Sequence, residues 1–253
     1  MDRVYRIDHH GVPRHAIQRD GVWHLAEGDI FERYGVGAEI PASGFRLLSP
    51  VEPSKIVAVG LNYRDHAAEM KKPLPKEPMI FLKPSTAVIG PDVPIIIPPG
   101  VGRVDYEAEV GVVIGKRAHR VAAGAAREYI LGLTCVNDVT ARDLQDRDIQ
   151  FTRCKGFDTF APLGPCIAVG LDASALDVEG WVNGVRRQAS NTRELIFGVE
   201  ELVAFVSSVM TLLPGDVIST GTPSGIGPVA PGDRVVVKVE GVGELANDVA
   251  GNG

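Results

Sequence analysis

The sequence predicts a β-rich α+β protein, a mixed β-roll or sandwich, on three observations. Short apolar runs bounded by Gly, Pro, Asn and Asp recur along the chain, helical periodicity appears in only three places, and strands do not alternate regularly with helices as a parallel sheet requires. A chain of 253 residues is long enough to bury a substantial core.

Taken in order, "RVYRID" and "VWHLA" alternate polar with apolar residues and are broken by Gly and Asp. The prolines of "FRLLSPVEPS" then mark a boundary. The expected division is a small β-rich N-terminal domain over 1–48 and a larger domain over 49–253. "KIVAVGL" reads as a buried strand, and "NYRDHAAEMKK" as a helix over 63–72 stopped by Pro73, Pro75 and Pro78. Further strands are expected at "PMIFLKP", "VPIIIPP", "YEAEVGVVIG", "ILGLTCVND", "PLGPCIAVG", "EGWVNGVRRQ", "DVISTG" and "DRVVVKVEG". Asn183-Gly184 is the dipeptide of a two-residue hairpin. A second helix is expected at "TARDLQDRDIQ", and a third at "GVEELVAFVSSVMTLL", with Leu202, Phe205, Val206 and Val209 on one face.

Charge and cysteine usage narrow the function. A net charge of −6 argues against a nucleic-acid or anionic-membrane surface. No apolar run approaches the roughly 18 residues of a spanning helix, and "MDRVYRIDHHGVPRH" lacks the apolar stretch of an export leader. Cys135, Cys154 and Cys166 are odd in number and form no CxxC pair, which disfavours a disulfide framework and a thiolate metal site. A cytoplasmic protein with a small-molecule partner is expected.

The stretch "RVDYEAEVGVVIG" carries the chemistry. Asp105, Glu107 and Glu109 are two apart and share one face of a strand, where like charges repel unless a cation lies among them. An exposed strand edge is the alternative, but the direct continuation into "VGVVIG" sets these acids at the mouth of a core. Asp138, at the end of another apolar run, adds a third acid to Glu107 and Glu109; three hard oxygen ligands suit Mg²⁺, or Mn²⁺, better than zinc. An N-cap on the following helix is the competing role for Asp138. His66 and Glu69, one helical turn apart, have the spacing of an oriented general base, against the alternative of a surface pair. Arg142 and Gln145 share a helix face and could meet an anion; Lys83, Lys155 and Thr222 are weaker candidates taken singly. "GTPSGIG" lacks the ending of a phosphate loop, leaving a carboxylate cradle or a plain turn. Cys154 reads as a packing residue.

In this order, "VGLNYRDHAAEM", "PMIFLKPSTAVIG", "VDYEAEVGVVIG", "VNDVTARDLQ", "FTRCKGFDTFAPLGP" and "STGTPSGIGP" resemble the fumarylacetoacetate hydrolase family from about Lys55 onward, closest to its acylpyruvate hydrolase and oxaloacetate decarboxylase branch. The resemblance implies a mixed β-roll catalytic domain, a divalent cation, usually Mg²⁺, a 2-oxo or β-diketo acid substrate and a homodimer. Carried over residue by residue, it implies Glu107, Glu109 and Asp138 as metal ligands and His66 with Glu69 as the water-activating dyad. It implies Lys155 as the lysine beside the metal, and Arg142, Gln145 and Thr222 as substrate contacts. The expected reaction is hydrolysis of a C–C bond in an acylpyruvate through a metal-stabilised enolate. Oxaloacetate decarboxylation and hydroxymuconate or 2-hydroxyhepta-2,4-diene-1,7-dioate isomerisation are alternatives on the same site, and a metal- and dicarboxylate-binding domain is the non-enzymatic one. "MKKPLPKEP" is expected to close over bound substrate.

Overall fold

The computed structural model describes residues 1–251. A 12-stranded sheet dominates, its middle running through strands Arg3–His9, Ala161–Val169, Ile130–Asn137, Ala108–Ile114, Val217–Ser219, Lys55–Gly60 and Met79–Pro84 in that spatial order. A 5-stranded sheet holds Val185–Asn191, Asp177–Val182, Arg234–Val239, Gly243–Gly251 and Ile95–Ile97. A 3-stranded sheet holds Thr140–Ala141, Val104–Tyr106 and Gly227–Val229. Four short α-helices complete the described chain: α1 Arg64–Glu69, α2 Arg142–Arg147, α3 Thr152–Lys155 and α4 Val199–Val209. The fold is α+β and strand-rich, as the sequence predicts.

Position in the sheets explains the sequence patterns. Every residue of Ala108–Ile114 is buried, because the strand is paired on both edges and covered on both faces, so past Glu109 it reads as an unbroken apolar run. Strand Arg234–Val239 lies in a sheet with one wet face: Val235, Val237 and Val239 are buried while Arg234 and Lys238 are exposed. Val237 and Val239 join Val110, Val112, Leu133 and Cys135 of the large sheet in one core, which stacks the two sheets as a sandwich.

The first four strands, from Arg3–His9 to Tyr34–Ile40, form a meander; Arg46–Leu48 returns to pair with the first of them, which also pairs with Ala161–Val169, Arg3 opposite Ala168. These strands therefore lengthen the large sheet. The hairpin at Asn183-Gly184 is present, with φ of 51° and 76° at its two central residues, the conformation for which Asn-Gly is favoured.

The helices differ from expectation in extent. In α4 the inward residues are Val199, Leu202, Val203 and Val206, while Val209, at the flank of that stripe, is exposed. Helix α1 ends at Glu69, before the expected 72, and Lys71 takes a positive φ of 51°. Helix α2 ends at Arg147, short of Gln150, where Asp148 turns extended and receives the guanidinium of Arg153 at 2.7 and 2.5 Å. Helix α3, which contains Arg153, has four residues, too few to show a period in the sequence. Among the described residues no helix is long and apolar enough to cross a membrane.

Candidate active site

The site forms where the chain crosses between two sheets. Strand Val104–Tyr106 belongs to the small sheet and Ala108–Ile114 to the large one, so Glu107 occupies the crossover. Its backbone is fixed there: Asn137 Oδ1 accepts from the Glu107 amide at 3.0 Å, and the Glu107 carbonyl accepts from the Asp138 amide at 2.9 Å. Glu109 lies two residues into the buried strand. Glu107, Glu109 and Asp138 each offer an oxygen within 4.8 Å of the others, and all three are buried. Asp138 does not cap α2, whose N-cap is Ala141; the short strand Thr140–Ala141 intervenes.

Cations crowd one side of this trio. Lys155 Nζ donates to Glu107 Oε2 at 2.7 Å and to Asp138 Oδ2 at 2.6 Å. Lys83 Nζ donates to Asp138 Oδ1 at 2.5 Å and to the Val139 carbonyl at 3.2 Å, and is 0% exposed. Arg142 donates to Glu107 Oε1 through one terminal nitrogen, to Gln145 Oε1 at 2.6 Å through the other, and to Asp105 Oδ2 at 2.9 Å through Nε. Burial pushes the Glu107 carboxyl up, and Lys155 and Arg142 more than reverse it, down to about 2. Burial lowers Lys155, but Asp138 and Glu107 beside it leave it raised; Lys83, buried among these groups, is lowered.

Glu109 has different company. Its Oε2 accepts from the Ser219 hydroxyl at 2.5 Å and the Gly221 amide at 2.9 Å, both neutral donors, and it has no ion-pair partner among the described residues. Burial, with the Asp138 and Glu107 charges added, holds its carboxyl well above the usual carboxylate range. A buried acid with a raised pKa packed against two other carboxyl groups is a place where a divalent cation lowers the energy, and an all-oxygen set suits Mg²⁺ or Mn²⁺. The donors fit such an ion.

The expected dyad is formed, with Glu69 at its exposed end. His66 is buried, and its Nδ1 lies 2.9 Å from Glu69 Oε2. Glu69 Oε1 accepts from the Gly225 amide at 3.1 Å, so the "GTPSGIG" turn spends two backbone amides, Gly221 and Gly225, on the site's own carboxylates. Asp65 starts α1 by accepting from the His66 amide at 2.7 Å, and the Ser190 hydroxyl holds Asp65 in turn at 2.6 Å.

A cavity of about 400 Å³ gathers the expected residues except Glu69 and Lys83: His66, Glu107, Glu109, Asp138, Arg142, Gln145, Lys155 and Thr222 line it. Met70, Met79, Phe81, Phe151 and Ile226 give it an apolar rim, and Lys155 Nζ sits 5.1 Å from the centre of the Phe81 ring. The Thr222 hydroxyl already donates to the Ala108 carbonyl at 3.0 Å and accepts from Gln188 Nε2 at 2.8 Å, so it faces the cavity chiefly as an acceptor. Cys154 packs, its thiol donating to the Phe151 carbonyl at 3.2 Å and pushed up by burial.

Sequence reasoning did not find Gln188 or Ser219. Gln188 is 0% exposed and fastens the Ala108 amide, Thr222 and the Pro223 carbonyl together; nothing local in "GVRRQ" marks that burial. Ser219 lay in the quoted "STGTPSGIG", two residues before an amide that also binds Glu109.

Comparison with known proteins agrees with this geometry. A family model for the fumarylacetoacetate hydrolase C-terminal domain matches residues 55–250. The chain is 43% identical over 223 residues to a mitochondrial oxaloacetate tautomerase of Bos taurus, covering 83% of this chain and 71% of that one. The structure of 5-carboxymethyl-2-hydroxymuconate delta-isomerase from Mycobacterium smegmatis superposes with a TM-score of 0.92 at 45% identity, over 99% of this chain and 100% of that one. The structure of maleylpyruvate hydrolase from a Sphingobium species, in complex with manganese(II) and pyruvate, superposes with a TM-score of 0.83 at 31% identity, over 99% and 100%. With three buried carboxylates that could hold a cation, a histidine paired to a glutamate and a family match over residues 55–250, this chain belongs to the fumarylacetoacetate hydrolase family.

Proposed function

We propose that this protein is a Mg²⁺- or Mn²⁺-dependent enzyme of 2-oxo and β-diketo acids that hydrolyses the C–C bond of acylpyruvates. The observation that carries the reading is a buried His66, held by Glu69, on the same cavity as three converging carboxylates. A divalent cation held by Glu107, Glu109 and Asp138 would supply an anchor for a carboxylate and Lewis-acid polarisation of a keto oxygen.

The chain's own residues do the rest. Arg142, backed by Gln145, receives the substrate carboxylate, and Thr222 borders the substrate's oxygens. Glu69 fixes the proton of His66 at Nδ1, which leaves Nε2 free to take a proton from water. That water adds to the distal carbonyl, the bond between C3 and C4 breaks, and its electron pair stays with the pyruvate fragment, which gains a proton at C3. The products are a carboxylic acid and pyruvate. Lys155 adds positive charge where the fragment carries its negative charge, beside the apolar rim of Met70, Met79, Phe81 and Phe151.

A second reading is tautomerisation or isomerisation of a 2-oxo dicarboxylic acid, favoured by the activities named for the bovine and M. smegmatis relatives. There His66 takes its proton from substrate carbon rather than from water. Assaying acylpyruvates, oxaloacetate and hydroxymuconates with Mg²⁺ tests both: release of pyruvate from acetylpyruvate supports hydrolysis, and enol–keto conversion of oxaloacetate without cleavage supports the second reading. The reading includes a homodimer in the cytoplasm, and light scattering checks the assembly.

A further inference from the structure

Asp105 is the acid of "RVDYEAEVGVVIG" that the cation site leaves over. It is 0% exposed, on strand Val104–Tyr106 of the small sheet, while Glu107 sits at the crossover. Arg103 grips it with Nε on Oδ1 at 2.7 Å and a terminal nitrogen on Oδ2 at 2.9 Å, and Arg142 Nε donates to the same Oδ2 at 2.9 Å. Arg142 is thus held between two buried carboxylates, Asp105 and Glu107, with Gln145 on its remaining nitrogen.

A guanidinium has five N–H donors in one plane. Three are spent here, each on a different nitrogen, which fixes the plane and leaves one N–H on each terminal nitrogen in a group that lines the cavity. Without Asp105, the only carboxylate left on Arg142 is Glu107, and fork-to-fork pairing with that acid becomes its best geometry. Such pairing would spend the N–H groups meant for substrate and take up oxygens meant for a cation.

We propose that Asp105 is a positioning residue that holds Arg142 away from full pairing with Glu107 and so sets the orientation in which it receives a substrate carboxylate. The inference rests on the reading of Arg142 as the carboxylate partner, and the test separates the two. Oxalate, which cannot react, is titrated calorimetrically into Mg²⁺-loaded wild-type, Asp105→Asn, Arg142→Ala and doubly substituted protein, and kcat and KM are measured for the substrate found above. Asp105→Asn is expected to weaken oxalate about tenfold and raise KM alike with kcat little changed, and the double variant to be no weaker than Arg142→Ala alone. Wild-type oxalate affinity in Asp105→Asn, beside a weakened Arg142→Ala, overturns the proposal and leaves the reading of Arg142 standing. Losses that multiply in the double variant overturn it too, because Asp105 would then act on its own. Wild-type affinity in Arg142→Ala removes the reading of Arg142 and the proposal with it. Should Asp105→Asn not fold, Arg103→Gln, which removes the half-exposed partner of Asp105, takes its place. A loss of about threefold that vanishes on the Arg142→Ala background supports the proposal, and an unchanged affinity overturns it.

Discussion

Glu107 and Glu109 stand two residues apart on one face of the same segment and live in opposite surroundings. Glu107 shares Lys155 and Arg142, and Asp138 beside it shares Lys155 and Lys83, so that side of the site is neutralised from within. Glu109 has a serine hydroxyl and a backbone amide, and the charges that act on it most are the other two acids. One side of the trio is built like a folded-state ion network and the other like a port for an incoming cation. Spacing in sequence sets which acids meet; the partners brought by distant segments set what each one does.

The largest consequence concerns the two glutamates themselves. Glu109→Gln keeps an acceptor for Ser219 and Gly221 and relieves like-charge repulsion, so the cation-free protein should melt no lower than wild type while turnover falls to the buffer background. Glu107→Gln should also lose turnover, but at a cost of about 3 kcal/mol in denaturant unfolding, because Lys155 and Arg142 lose a buried counter-charge. Equal stability losses in the two variants would erase the contrast.

Next in size, His66→Asn leaves both sides of the trio intact and should lower hydrolysis about a hundredfold or more, with the affinity for Mn²⁺ unchanged in calorimetry. Lys83→Met removes one of the two ammonium groups on Asp138 and should cost about 3 kcal/mol in the same unfolding experiment. A cost under about 0.5 kcal/mol would show that Lys155 alone satisfies Asp138.

The smallest effect is in pH. Glu107, held down to about 2 from an ordinary 4.5, contributes stability above pH 4.5 that is lost as pH falls toward 2. Glu109, raised from the same ordinary value, contributes stability below it that is lost as pH rises through the raised value. The cation-free melting temperature should therefore pass through a maximum, and saturating Mg²⁺ should remove the decline on the alkaline side because the ion takes the place of the Glu109 proton. Melting curves with chelator and with Mg²⁺ across this range check the sign.

Much of this was legible in the sequence, for local reasons. The phase of Glu107 and Glu109, the apolar run after them, the i,i+3 spacing of His66 and Glu69, and the Asn183-Gly184 turn are each written within a dozen residues. What could not be read depends on distance along the chain. Lys83 reaches Asp138 across 55 residues, and Gln188 reaches Ala108 across 80, so neither burial has a neighbour to announce it. In α4 the apolar stripe reads too wide at Val209, because periodicity marks which residues share a face and not how far the core reaches beneath its flank. Asp105 was seen to be in phase with the other acids, yet only the arginines folded around it separate its part from theirs.

The central claim is that the Glu109 side of the trio admits a divalent cation. Calorimetric titration of Mn²⁺ into chelator-stripped wild-type and Glu109→Gln protein tests it directly. One bound ion per chain in the wild type and none in the variant is the predicted result; the same affinity and stoichiometry in both would contradict it.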